Sequence, residues 1–174
     1  ESVASVGQGS NKRAIGGIRA THSDPAKIRL CLRSIEIFSQ FKQQFGEDIE
    51  WDRCGYAFVA YREQEEKTLK DLLTIQKKFG LENNWYDKDE FLKIIPDLNP
   101  QGLIGGTFSP NDGSASPLLV NHAYYVHAAK LGAEFHFSEP VTGMCLENGK
   151  ITKVVTSRGE YHAEIVLNAA GAEA

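Results

Sequence analysis

The stretch of residues 7–19 concentrates the residue types that bind anions. It contains four glycines (Gly7, Gly9, Gly16 and Gly17) and three cationic side chains (Lys12, Arg13 and Arg19). Glycine adopts backbone conformations closed to other residues and lets a ligand approach the main chain, so free N–H groups beside Lys12 and Arg13 would form an anion cradle. Phosphate or pyrophosphate is the natural ligand. A flexible, positively charged surface loop has the same composition, and the stretch alone leaves both interpretations open.

The composition indicates a soluble globular protein that does not bind nucleic acid. Of the 174 residues, 41% are hydrophobic and 24% are charged, with a net charge of −4. That length suits one domain with a sizeable core, and the basic character is local to the glycine-rich stretch. No apolar run approaches the roughly 20 residues that a membrane span needs, so we predict a cytoplasmic protein without a membrane span.

The cysteines give no sign of a disulfide framework or a zinc site. Cys31, Cys54 and Cys145 are odd in number, widely spaced and form no CxxC motif. This usage favours a reducing compartment and predicts that the three thiols serve packing.

The first half of the chain alternates helices and strands. Asp24 and Pro25 are typical of a helix start, and apolar residues then recur at three and four residue steps as far as residue 45, with Gly46 as the stop. Aromatic and β-branched residues predict a strand over residues 51–61, with Tyr56 and Phe58 on one face. Amphipathic patterns then predict helices over residues 63–79 and from Asp87 to the residue before Pro96.

The second half ends in a β-meander. A strand over residues 103–108 and a turn at Pro110-Asn111-Asp112-Gly113 precede a helix over Pro117–Lys130. We predict further strands over residues 133–137, 141–146, 151–156 and 161–162, with a hairpin turn at Asn148-Gly149. The near-continuous apolar run of residues 164–169 is typical of a buried parallel strand. The whole pattern predicts a mixed α/β protein, since a simple Rossmann domain lacks such a meander.

Several short sequence motifs occur in the same order as in a known family. They are Gly9-Ser10, Gly17-Ile18-Arg19, Cys54-Gly55-Tyr56, Pro110-Asn111-Asp112-Gly113, Leu131-Gly132-Ala133-Glu134, Glu139-Pro140-Val141 and the run from Ile165 through Gly171. In this order the sequence resembles the FAD-dependent amine oxidoreductases of the D-amino-acid oxidase superfamily, of the type of the beta subunits of sarcosine oxidase and dye-linked L-proline dehydrogenase. The specific signal is collinearity over nearly the whole chain.

The resemblance implies part of an FAD-binding Rossmann-like domain with a β-meander, plus part of a mixed-sheet substrate domain. The FAD domain would take residues 1–48 and 111–174, and the substrate domain residues 49–110. The family's opening strand with its GxGxxG turn, and its long closing segment, are not in these 174 residues. We therefore expect a middle segment of a longer enzyme that alone binds FAD weakly and is inactive.

The resemblance also assigns site residues one by one. Arg19 stands where relatives carry an arginine that pairs with the substrate carboxylate. Apart from the resemblance, Tyr56 on the predicted strand is either a wall of the substrate pocket or a core-packing residue, and the same holds for Tyr61. Glu1 falls near the acidic residue that binds the adenosine ribose. The cofactor-binding positions it implies are Glu1, Gly9, Ser10, Lys12, Arg13, Gly16, Gly17, Ile18, Val141, Ala169, Ala170 and Gly171. No general base and no metal ligand is assigned, and the spacing of His122 and His127 does not put both on one helix face.

The implied activity is FAD-dependent oxidation of the C–N bond of a small amino acid or N-alkyl amino acid, of the sarcosine, dimethylglycine, proline or D-amino acid type. The electron acceptor stays open, and other subunits are possible partners. His22 fits either a surface residue at a helix start or a group near the flavin. Two alternatives remain: a non-catalytic nucleotide- or phosphate-binding module, and an inactive scaffold segment.

Overall fold

The computed structural model describes residues 1–171, which form two compact units. The larger unit is Ile15–Ser116, and the smaller one combines Glu1–Ala14 with residues 117–171. The chain therefore passes from one unit to the other inside the glycine-rich stretch. These boundaries differ from the predicted divisions after residues 48 and 110, because the first long helix packs within the larger unit. The assignment of FAD and substrate to particular domains stays a prediction.

The larger unit alternates short strands with helices. In chain order its elements are β1 Gly17–Ile18, α1 Pro25–Ser39, α2 Phe41–Phe45, β2 Tyr56–Ala60, α3 Glu63–Lys77, β3 Asn84–Asp87, α4 Lys88–Ile94, β4 Gly105–Ser109 and β5 Gly113–Ser114. β1 pairs antiparallel with β5, and β2, β4 and β3 form a three-stranded antiparallel sheet with β4 in the centre. The sequence predicted β3 only as an apolar pair before a helix.

Local signals set the helix ends as predicted, with one break. The Asp24 carboxylate accepts a hydrogen bond from the Lys27 N–H at 2.9 Å, and Gly46 ends α2 with a φ of 80°. The single helix predicted through residue 45 is interrupted at Gln40, whose φ of −109° and ψ of 1° are not helical. The break accompanies the burial of Phe41, which is 1% exposed and contacts Phe38 and Phe45.

The core of the larger unit joins α1 to the end of α3 and the segment after it. Its buried residues are Ala20, Ile28, Ile35 and Leu81, and Cys31 packs against them. Burial raises the pKa of the Cys31 thiol, in keeping with its predicted packing role. Cys54 is exposed instead, because it precedes β2 at the surface and makes only a 3.7 Å contact to the Gly55 carbonyl; its predicted packing role is wrong.

The smaller unit contains a 3-10 helix, Ser10–Arg13, then α5 Pro117–Lys130 and a meander. The meander strands are β6 Val141–Glu147, β7 Lys150–Thr156 and β8 Glu160–Tyr161, all antiparallel. Asn148 and Gly149 both have positive φ, of 52° and 76°, which is the backbone that a tight hairpin requires. The predicted helix, meander and hairpin turn are confirmed.

Two predicted strands are wrong in the described part of the chain. Residues 133–137 are not a strand, because Phe135 and Phe137 pack on Tyr125 of α5 through their rings, with centroids 4.7 and 5.8 Å away. Residues 164–169 are not a strand either: Ile165 and Leu167 are 86% and 85% exposed. A buried parallel strand needs a neighbour on its hydrogen-bonding edge and cover on both faces, and residues 1–171 give this segment neither. The mixed α/β class is confirmed, with only antiparallel strand pairs among residues 1–171.

Candidate functional site

Arg19 follows β1 directly and is held in one orientation. Its Nη1 donates to the Thr21 carbonyl oxygen at 2.7 Å. Its guanidinium carbon lies 5.0 Å from the ring centroid of Phe58 and 5.5 Å from that of Tyr56, and these rings lie 5.3 Å apart. A cation over aromatic faces gains electrostatic attraction and loses side-chain freedom. The structure thus brings together the two predicted substrate residues, Arg19 and Tyr56, and adds Phe58.

Asp112 anchors the segment that carries Arg19. Its Oδ1 accepts a hydrogen bond from the Ala20 N–H at 3.0 Å, and the residue is 1% exposed. Burial raises the pKa of this carboxyl, while the Ala20 N–H and the positive charge of Arg19 oppose that rise in part. The sequence showed Asp112 only as a turn residue, because its partner lies 92 residues away.

A second anchor comes from two buried amides, Gln76 of α3 and Asn83. The Gln76 Nε2 donates to the His22 carbonyl oxygen at 3.2 Å, and the Asn83 Nδ2 donates to the Gln76 Oε1 at 2.8 Å. Both residues are 2% exposed. Sequence reasoning missed both residues, although a glutamine on the apolar side of α3 was the available signal.

Around these residues the larger unit has a cavity of about 230 Å³. Its polar walls include Arg19, Thr21, His22 and Asn83, and Phe58, Leu69 and Leu72 line it with apolar surface. Burial, and then the charge of Arg19, lower the pKa of His22. The lowered pKa favours the neutral imidazole, and Arg19 supplies the positive charge on the cavity wall. The arrangement suits a small ligand with one anionic group.

The predicted flavin loop is divided between the two units. Gly9, Ser10, Lys12 and Arg13 lie at the exposed 3-10 helix of the smaller unit, where the Lys12 Nζ donates to the Gln8 Oε1 at 3.3 Å. The larger unit holds the remaining predicted loop residues, Gly16, Gly17 and Ile18. Gly17 and Ile18 form β1 and pair with Ser114 and Gly113 of β5.

The predicted adenosine contacts, Glu1 and Val141, lie in one part of the smaller unit. The Glu1 carbonyl oxygen accepts a hydrogen bond from the Glu139 N–H at 2.9 Å, two residues before Val141. Val141 begins β6 and is 53% exposed. Three further predicted positions of this unit are exposed and outside any strand, namely Ala169, Ala170 and Gly171.

The residues of the smaller unit fit an anionic, oxygen-rich group. Lys12 and Arg13 are exposed cations, and the open space beside Gly9, where an added Cβ would meet no atom within 4 Å, leaves its backbone accessible. Cationic side chains and accessible backbone N–H groups are the groups that bind anionic oxygens in proteins. Residues 1–171 contain no group of three or more His, Cys, Asp or Glu side chains placed to hold a metal ion.

Residues 2–174 match the DAO family of FAD-dependent oxidoreductases. The chain belongs to this family. The resemblance to FAD-dependent oxidoreductases, which the short sequence motifs indicated, is therefore confirmed at the level of the family. Within the described residues no helix is long and apolar enough to cross a membrane.

Individual relatives extend the comparison. The 4-methylaminobutanoate oxidase (formaldehyde-forming) of Paenarthrobacter nicotinovorans is 22% identical over 95% of this chain and 20% of its own length. Human mitochondrial dimethylglycine dehydrogenase is 23% identical over 79% of this chain and 16% of its own length. The chain thus spans about a fifth or less of these curated relatives.

Solved structures match the same fold. L-proline dehydrogenase from P. horikoshii superposes with a TM-score of 0.90 at 32% identity, covering 97% of this chain and 44% of that one. Glycine oxidase from Bacillus cereus superposes with a TM-score of 0.76 at 27% identity, covering 93% of this chain and 45% of that one. The mixed α/β fold with antiparallel sheets is thus that of FAD-dependent oxidoreductases.

Proposed function

We propose that the protein oxidises the C–N bond of a small amino acid or N-alkyl amino acid, with FAD as the immediate electron acceptor. Membership of the FAD-dependent oxidoreductase family supports the chemistry. The names of its relatives support the substrate class, since they refer to methylaminobutanoate, dimethylglycine, proline and glycine. The single observation that carries the proposal is the fixed guanidinium of Arg19 on the wall of a small cavity.

Arg19 would bind the substrate carboxylate. A guanidinium stays charged and presents parallel N–H donors that match the two carboxylate oxygens. Tyr56 and Phe58 limit the movement of that group, and Asp112 and Gln76 hold the backbone just after it, at Ala20 and His22. Fixing the carboxylate in this way orients the adjacent C–N bond and removes part of the entropy of reaction.

The residues that would hold FAD are those with the matching donor chemistry. Lys12, Arg13 and the backbone near Gly9 would bind anionic oxygens, and Glu1 and Val141 would lie at the adenosine end. Bound FAD would supply the two-electron acceptor that C–N oxidation needs. The chain's own contribution is to bind and orient both molecules.

The test is Arg19→Met in the full-length protein with FAD, compared with Arg33→Met. Arg33 is an exposed arginine of α1 that forms an ion pair with Glu36 at 2.7 Å and serves as the matched control. Losing a charge-assisted contact to substrate should raise KM by about 100-fold in the Arg19 variant, because such contacts contribute about 2–5 kcal/mol. The flavin content, measured by absorbance, should stay at the wild-type value in both variants.

Two results would contradict the proposal. An unchanged KM in the Arg19 variant removes this residue from the substrate site. A full-length protein that is colourless and does not take up added FAD favours the non-catalytic alternatives instead.

A further inference from the structure

Asn83, which lines the cavity, contains a buried hydrogen-bond acceptor that has no partner among residues 1–171. The residue is 2% exposed, and the acceptor is its Oδ1. Asn83 lines the same cavity as Arg19. Leaving such an oxygen unpaired costs about 1–3 kcal/mol, so a site that keeps one is suited to a ligand that donates to it.

The orientation of the Asn83 amide follows from a chain of hydrogen bonds. The His22 carbonyl can only accept, so the Gln76 amide must turn its Nε2 toward it, at 3.2 Å. The Gln76 Oε1 then faces Asn83 and requires the Nδ2 donor of that residue, at 2.8 Å. Reversing either amide would place two oxygens or two N–H groups against each other. The Asn83 Oδ1 is therefore the amide atom of this chain that has no partner.

The cavity walls limit what that ligand can be. The volume of about 230 Å³ admits a small molecule, Arg19 supplies the positive charge, and Phe58, Leu69 and Leu72 supply apolar surface. A ligand that satisfies all of them has a carboxylate, an N–H donor and a short aliphatic part. Small amino acids with a primary or secondary amine have this chemistry.

We propose that Asn83 is a specificity-determining residue that accepts a hydrogen bond from the N–H of a ligand whose carboxylate is bound by Arg19. The inference rests on the proposed function only for the role of Arg19. It predicts that amino acids whose neutral amine keeps an N–H bind better than fully N-substituted ones. Proline- and sarcosine-type ligands are therefore preferred over dimethylglycine-type ligands.

The test uses two planar ring carboxylates of nearly equal shape, pyrrole-2-carboxylate and furan-2-carboxylate. They differ in a ring N–H against a ring oxygen, and neither ring is protonated near neutral pH. Dissociation constants are measured by calorimetry on the full-length protein with FAD. The wild-type protein should bind the pyrrole at least about 10-fold more tightly, the ratio that one hydrogen bond to a buried acceptor gives.

Variants separate recognition from a structural effect. Asn83→Leu should bring the ratio of the two dissociation constants to about one. Weakening caused by the loss of the hydrogen bond to Gln76 affects both ligands and cancels in this ratio. A residue with only a structural role would weaken both ligands equally and leave the ratio unchanged.

The outcomes also distinguish this inference from the proposed function. Arg19→Met should weaken both ligands by a similar factor. The role of Asn83 is overturned if the wild-type protein binds the two ring carboxylates equally well, or if Asn83→Leu leaves the ratio of their dissociation constants unchanged. The role of Arg19 still stands in either case, provided that Arg19→Met weakens both ligands. If Arg19→Met changes neither affinity, the proposed role of Arg19 fails. If neither ring carboxylate binds the wild-type protein, the cavity is not the ligand site.

Discussion

Asp112 is the residue that best shows how the position of Arg19 depends on its surroundings. The buried carboxylate accepts the Ala20 N–H at 3.0 Å, which fixes the backbone immediately after the guanidinium-bearing residue. A charged carboxylate in a buried position is penalised by lost hydration, and its backbone contact and the charge of Arg19 compensate only partly. The same group therefore orders the segment and carries an electrostatic cost.

Removing the Asp112 acceptor should destabilise the protein more than replacing it. Asp112→Ala leaves the Ala20 N–H buried without a partner, and we expect a loss of about 1–3 kcal/mol in the free energy of unfolding. Asp112→Asn keeps an oxygen at the acceptor position and serves as the matched control. Denaturant unfolding of both variants measures the difference. Equal losses for Ala and Asn would show that the hydrogen bond to Ala20 contributes nothing.

The pH dependence of stability should carry the signature of the Asp112 carboxyl. Its pKa in the folded state is raised above the unfolded value of 3.8, so the folded state binds more protons between these two values. The contribution to stability is fully present below pH 3.8 and is lost as the pH rises through the folded pKa. The free energy of unfolding of Asp112→Asn should thus improve relative to wild type over this window. A pH-independent difference between the two would contradict this assignment.

Some site residues could be predicted from the sequence and others could not. Strand alternation placed Tyr56 and Phe58 on one face, and the family resemblance singled out Arg19. The role of Gln76 could not be predicted, because its partner is the backbone carbonyl of His22, 54 residues away in the chain. A long-range hydrogen bond to a carbonyl leaves no local sequence pattern.

At the scale of elements, local chemistry was predicted more reliably than strand pairing. The Asp24 cap, the Gly46 stop and the Asn148-Gly149 turn depend on a few neighbouring residues, and the structure contains all of them. The short strand β3 depends instead on β4, with which Trp85 and Tyr86 pair at Thr107 and Gly106. Pairing partners outside the local window decide whether such a short run is a strand.

The central strand β4 should tolerate no side chain at Gly106. A Cβ there would collide with the Phe58 carbonyl oxygen and the Phe91 ring, both of which lie in packed elements. We expect Gly106→Ala to lower the free energy of unfolding by about 1–3 kcal/mol, the usual range for overpacking.

Gly143→Ala in β6 is the control for this prediction. An added Cβ at Gly143 meets no atom within 4 Å. Its free energy of unfolding should change by less than about 0.5 kcal/mol or increase slightly, because alanine restricts the unfolded chain. If the two substitutions have the same effect in denaturant unfolding, close packing at β4 is not the reason for its glycine.

At the scale of the whole molecule, the mixed α/β class followed from the pattern of elements, but the parallel strand did not form. The run Ile165-Val166-Leu167 has the composition of a strand buried on both faces, yet Ile165 and Leu167 are more than four-fifths exposed. The chain spans 44% of the L-proline dehydrogenase that it matches in fold. The composition of a segment predicts whether it can form a buried strand. Whether it does so depends on the strands and helices that the rest of the fold places beside it.

A pair of identical substitutions tests this interpretation. Leu81 is 7% exposed in the core of the larger unit, whereas Leu167 is 85% exposed. In the 174-residue chain, Leu81→Ala should lower the free energy of unfolding by about 2–5 kcal/mol, because it removes buried methyl groups and leaves a cavity. Leu167→Ala should change it by less than about 0.5 kcal/mol, as exposed substitutions do. Denaturant unfolding compares the two, and the chemical change is the same in both. A loss at Leu167 as large as that at Leu81 would mean that residues 164–169 are packed in solution, as their apolar pattern predicts.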